Sequence, residues 1–406
     1  MNINKKVLTL GSVCLLMLGG CSKEDGTTSS TPQHDLIEAD PVKIELSSQT
    51  KELVSATTRA ALEGDANISG VGNSLGIFGL ARAPQVWDSP SNPYSLTEWN
   101  WADWNDYEAN RACILKNVEA EKVSGNIVWK AAGAVFFYPI TQVYAYDFYG
   151  YYPYKADNQL IYAANNKKVS AQYTIDGTQD LLWGRATSTE TDGYSARYFR
   201  QSSGRNTDKP NIALQHLLTR LTFSVLPGAS YTGGNDYEVA QDMVVEKVQI
   251  LGAKNHLEVT IADWSDITPS TTDDLASRIS PVSTDDPVST ADFTLCNALG
   301  ATATLDLEEI DCTSTPTAER LGESIMLYPE AQYTIRIELT MKNPNKWGAF
   351  DQTFVTEVPL YLLPEGTAFQ AGKSYNVTIT VHGPRDISLK STITDWESVD
   401  GPSIVL

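Results

Sequence analysis

Tyr333-Thr-Ile335-Arg-Ile337-Glu-Leu339 and Tyr375-Asn-Val377-Thr-Ile379-Thr-Val381 place an apolar side chain at every second position. A helix needs a period near 3.6. A period of two puts one face of an extended strand in a core and the other outside. Leu221-Thr-Phe223-Ser-Val225 and Leu257-Glu-Val259-Thr-Ile261 repeat the pattern, and Val244 to Leu251 follows it more roughly. Nearer the N-terminus the runs are shorter: Leu75-Gly-Ile77-Phe78-Gly-Leu80, Ile127-Val-Trp129, Val135-Phe-Phe-Tyr138 and Leu181-Leu-Trp183. Val143 to Tyr154 is crowded with aromatics, which favour pleated, half-buried surfaces. Gly, Pro, Asn and Asp separate these runs. Only Ile212 to Leu221 reads as a stretch that starts helical. The expectation is an all-β chain built of β-sandwiches.

At 406 residues the chain has room for two domains. Thr187 to Asn211 is rich in Ser, Thr, Gly and Arg, and the boundary is placed near Pro210. This gives sandwiches over 60–210 and 211–386, with a last strand segment over 387–406. Ser265 to Thr290 is a second polar stretch, expected as an exposed excursion. The formal charge of -20 argues against nucleic acid and anionic membrane surfaces as partners. Cys113, Cys296 and Cys312 have no metal-type spacing; Cys296 and Cys312 either pair or stay as thiols.

The N-terminus reads as an export signal over 1–20. Lys5 and Lys6 precede Val7 to Leu18, an apolar run too short to remain as a membrane span. Leu18-Gly-Gly-Cys21 has the lipobox pattern, in which the cysteine takes a diacylglycerol and becomes the new N-terminus. Ser22 to Thr50 is mostly polar and reads as a tether within the segment 21–59. Ser22-Lys-Glu-Asp25 resembles a signal for the outer face of the outer membrane. Inside the tether, Val42-Lys-Ile44-Glu-Leu46 alternates with period two.

Catalytic motifs lack their context. Gly72-Asn-Ser74-Leu-Gly76 matches a nucleophile elbow, but the residues after it read as a strand rather than a helix. His216, His256 and His382 suggest no triad. Gly70-x-Gly72 lacks the third glycine of a dinucleotide loop, and no Gly-Lys-Ser/Thr closes a phosphate loop. Asp103 to Glu108 does not fit an EF-hand. No enzyme activity, cofactor or metal is expected. Trp87, Trp99, Trp101 and Trp104 read as core, with a glycan-stacking face as the alternative.

Several segments in order resemble the Bacteroidales fimbrillin family, the subunits of lipoprotein-derived pili. They are Thr58-Arg59-Ala60, Leu75 to Leu80, Phe148-Tyr-Gly-Tyr-Tyr-Pro153-Tyr, His216 with Leu221 and Phe223, Gly372-Lys373-Ser-Tyr375 and Ile393-Thr-Asp-Trp396. The resemblance implies two tandem transthyretin-like Greek-key sandwiches. It also implies a precursor held in the outer membrane by lipid, cut between Arg59 and Ala60 by an arginine-specific protease, and then polymerised with other pilin subunits into a surface fimbrium. The placeholder strand would carry Val42, Ile44 and Leu46. The donor strand would be the C-terminal segment with Ile393, Trp396, Ile404, Val405 and Leu406. A stalk subunit is the first expectation. The alternatives are a tip or anchor subunit that does not polymerise, facing a host or bacterial receptor, and a surface glycan-binding lipoprotein.

Overall fold

In the computed structural model, the alternation at 333–341 becomes a strand. Tyr333, Ile335, Ile337, Leu339 and Met341 are buried, and the residues between them are partly exposed. The structure describes residues 41–50, 68–69, 72–81, 112–139, 145–163, 168–187, 194–200, 209–229, 236–263, 274–282, 287–313, 315–347, 352–364, 366–395 and 400–405.

In chain order the strands are β1 (Ser47–Thr50), β2 (Leu75–Ala81), β3 (Cys113–Val123), β4 (Asn126–Trp129), β5 (Tyr146–Tyr152), β6 (Leu160–Ala163) and β7 (Lys168–Thr174). Next come β8 (Leu182–Ala186), β9 (Asn211–His216), β10 (Thr219–Pro227), β11 (Met243–Lys254), β12 (His256–Asp263), β13 (Ile279–Pro281) and β14 (Thr290–Thr294). The last are β15 (Leu305–Asp306), β16 (Glu319–Leu327), β17 (Gln332–Met341), β18 (Thr353–Tyr361), β19 (Lys373–Gly383), β20 (Asp386–Asp395) and β21 (Asp400–Val405). The protein is all-β, as its periodicity requires.

Four sheets result. A closed barrel runs β1-β4-β3-β2-β5-β8-β9. A second sheet runs β13-β12-β7-β6, a third β16-β10-β19-β20-β21, and a fourth β14-β11-β17-β18 with β15 on β11. β10 and β19 lie side by side and parallel, Leu221 against Tyr375 and Phe223 against Val377. Their inward residues are fully buried.

Pairing crosses the expected boundary near Pro210. β9 completes the barrel, and β12 pairs with β7. Trp183 ties these sheets together: its indole N–H donates to the Ile261 carbonyl at 2.7 Å, and the Arg278 guanidinium lies 4.4 Å from its ring centre. The helical reading of Ile212 to Leu221 is overturned. Ile212, Leu214 and His216 face inward at period two, so burial requires an extended chain there. Part of Thr187 to Asn211 is a short helix, Ala196–Arg200, whose Phe199 packs 5.3 Å from Tyr138. The Ser265 to Thr290 excursion is partly built in, since β13 pairs with β12 and buries Ile279. Val135 to Tyr138 is not a strand of its own; only Phe137 makes a bridge, to Lys43.

Candidate functional site

The barrel closes through the segment that begins at Val42. Ile44 N–H donates to the Phe136 carbonyl at 2.8 Å, and Tyr138 N–H donates to Val42 at 3.0 Å. Further along, Ile127 N–H donates to Leu46, Ser47 N–H to Pro210 and Ser48 N–H to Gly125, each at 3.0 Å. β1 then runs parallel to β9, with Ser47 opposite Asn211 and Thr50 opposite Leu214, and antiparallel to β4, with Ser47 opposite Asn126. Among the described residues it is the only strand bonded to both β4 and β9. Removing it would leave two unpaired edges.

The side chains follow the backbone. Ile44, Leu46 and Ser48 point in and are 3%, 2% and 0% exposed, while Lys43, Glu45 and Gln49 point out. The Ser48 hydroxyl donates to the Ile212 carbonyl at 2.9 Å, so the one polar inward residue is satisfied. Glu45 pairs with Lys209 at 3.1 Å; both side chains are substantially exposed, so the pair contributes little. Burial holds the nearby Tyr138 phenol well above its usual pKa, and it stays neutral.

Two local features shape this seat. Ser124 and Gly125 have φ of 49° and 76°, the left-handed pair that a tight two-residue hairpin needs, and this turn aims the Gly125 carbonyl at Ser48. On the other side, a Cβ at Gly184 would lie 2.2 Å from the Ala213 carbonyl oxygen. Only glycine lets β8 pass β9 so closely. Along the outer face of the segment a cleft of about 460 Å³ is lined by Lys43, Glu45, Val128, Trp129, Val135 and Lys209. Val128, Val135 and Phe137 form an exposed apolar rim.

Val42, Ile44 and Leu46 therefore all lie in one seat. Ile393 lies in β20 opposite Tyr375. Ile404 and Val405 lie in β21, opposite Ser391 and Lys390. The first part of the expected donor segment is thus an integrated strand, with β21 paired at its edge. Cys21, Arg59, Ala60, Trp396 and Leu406 lie outside the described residues, as do Trp87, Trp99, Trp101, Trp104 and the acidic run from Asp103 to Glu108. Cys113, Cys296 and Cys312 are thiols rather than disulfides. Ser74 enters β2 directly, and its hydroxyl donates to Glu119 at 2.6 Å and accepts from Lys130 at 2.8 Å. The sequence reading missed Ser48 and the β9 edge. The signal for Ser48 was present, since the period of Val42, Ile44 and Leu46 continues to it.

Residues 102–396 match a family model described as fimbrillin-like. The chain belongs to the fimbrillin-like family. No curated protein matches it in sequence. Among solved structures, the fimbrillin-like chain is similar to a candidate cell adhesion protein of Bacteroides uniformis, at 16% identity and a TM-score of 0.44 over 88% of this chain and 99% of that one. It is also similar to the fimbrial anchor protein Mfa2 of Porphyromonas gingivalis, at 10% identity and a TM-score of 0.31 over 88% and 98%. The tip fimbrial protein Mfa3 of the same organism, with a C-terminal truncation, shows 11% identity and a TM-score of 0.36 over 87% and 99%.

Proposed function

We propose that this fimbrillin-like chain is a structural pilus subunit that polymerises by exchanging its first strand, most simply as a stalk subunit. The observation that carries the reading is the closure of the barrel by β1 and the residues before it. These residues contribute buried side chains at alternate positions and bond to both flanking edges. Arg59 lies between Thr50 and Leu75 in the sequence, so a cut there separates the closing strand from β2 and touches no other strand among the described residues. An arginine-specific protease would make the cut. Before it, lipid on Cys21 holds the precursor in the outer membrane; after it, the lipid leaves with the strand. The vacated seat offers two backbone edges and an apolar cleft, which a strand from another subunit satisfies. The rim of Val128, Val135 and Phe137 lies where that subunit would approach.

The test is mild trypsin treatment of soluble protein lacking residues before Ser22. Cleavage after Arg59 followed by heat- and SDS-resistant ladders is the expected result. A clean cut that yields only stable monomer would overturn the stalk role and return the chain to an anchor, a tip or a binding lipoprotein.

A further inference from the structure

Val128, Val135 and Phe137 are 48%, 49% and 43% exposed, and they lie together. Val128 and Val135 line the cleft outside the closing segment, and Phe137 bridges to Lys43, which lines it too. Single exposed apolar side chains are ordinary, but a group of them rimmed by polar residues marks a contact surface. The charged residues of this cleft are Lys43, Lys209 and Glu45, two cations to one anion. In a chain of net charge -20 that balance is a local exception. Acid collects elsewhere. A second cleft, lined by Asp236, Glu238, Glu308, Glu309 and Asp311, adjoins the start of β11. The 12 residues of β11 then run about 36 Å toward Asn255, whose carbonyl accepts from Ile175 just after β7.

The course of the chain says what meets the rim. Val42 and Lys43 begin the closing segment beside it, and Ser22 to Pro41 are all that separate them from Cys21. Those residues reach at most about 70 Å. A lipid on Cys21 therefore holds the molecule by this rim. Building on the reading of Cys21 as lipid-bearing, we infer that the rim is the membrane-contact surface of the precursor. Val128, Val135 and Phe137 seat at the boundary between headgroups and acyl chains, and Lys43 and Lys209 face the lipid phosphates. The tether keeps lipid at high local concentration, so a weak contact suffices. The net charge opposes an anionic surface for the chain as a whole. Repulsion is screened within about 8 Å at physiological salt, however, and the length of β11 keeps the acidic cleft several such lengths from Asn255. In this placement the membrane covers the rim until the lipid leaves. The face that a neighbouring subunit would approach is uncovered only by the cut.

The test uses the full lipidated chain with Cys113, Cys296 and Cys312 changed to serine. Phe137→Cys carries a nitrobenzoxadiazole dye, and the protein is reconstituted in excess phosphatidylethanolamine vesicles containing some phosphatidylglycerol. The dye should emit at shorter wavelength, resist iodide quenching severalfold and be quenched by brominated lipid. Val135→Cys should behave in the same way. Val355→Cys on β18, 58% exposed, should stay open to iodide. Trimming after Arg59 should abolish the protection. Acyl mass on Cys21 with no protection at either rim position would overturn this inference and leave the lipid reading standing. Protein without acyl mass on Cys21 would remove both. Protection that follows protein concentration instead of lipid would give the rim to a second copy, against the membrane assignment. Equal protection at Val355→Cys would show that the rim is not the contact surface.

Discussion

Leu46→Ala should open the barrel locally and leave the other sheets closed. Leu46 is 2% exposed in the middle of the closing segment, and its carbonyl accepts from Ile127. Truncating a fully buried leucine costs about 2–5 kcal/mol. The closing segment is one strand at one seam, so this cost falls on its own opening rather than on global unfolding. At about 1.4 kcal/mol per factor of ten, the open population rises about 30-fold to several thousand-fold. Amide hydrogen exchange measures it directly in the untrimmed chain. The amides of Ile127, Tyr138 and Ser48, which bond across the seam, should exchange faster by that factor. Those of Ile337 and Val377, in the middle of β17 and β19, should keep the wild-type rate. An equal acceleration at both sets would mean that β1 unfolds only with the whole protein, and the removable-strand reasoning would be wrong. No acceleration at Ile127 would mean that the segment does not hold the seam.

Single contacts set the other expectations. Gly184→Ala places a methyl against the Ala213 carbonyl and should cost about 1–3 kcal/mol or more, read as a lower melting temperature with β9 amides exposed first. Ser74→Ala removes the bonds to Glu119 and Lys130 and should cost roughly 1 kcal/mol, while turnover of a nitrophenyl ester stays at background. Burial alone would raise the Glu258 carboxyl, but hydrogen bonds from Ser170 and Lys168 outweigh it and hold its pKa below the usual 4.5. A depressed carboxylate contributes stability above its unfolded pKa and loses it as pH falls through the folded value. Glu258→Gln should therefore destabilise at pH 7, and the gap from wild type should close as pH drops below 4.5; a constant gap across that range would contradict the assignment.

The strands that were easiest to read are those buried on one face only. β10, β17 and most of β19 alternate cleanly because one side meets the core and the other does not. β9 alternates equally well in the structure, yet its Gln215-His216 end gave no apolar signal, and the stretch read as helical. Phe136 and Phe137 misled in the opposite sense. Their apolar run suggested a strand, but their pairing partner is the segment from Val42, and the contact amounts to a bridge beside a short cleft.

The sequence by itself determined the all-β class and the inward set Val42, Ile44 and Leu46, because a period of two is a local property of an extended chain. Only the tertiary structure decided which edges the first strand closes, that β9 lies in the barrel, and that the Ser48 hydroxyl donates to the Ile212 carbonyl. Those facts depend on pairing across long separations, 164 residues in the case of Ser48 and Ile212. A local pattern states which side of a strand faces inward, whereas the chain's packing states what it faces.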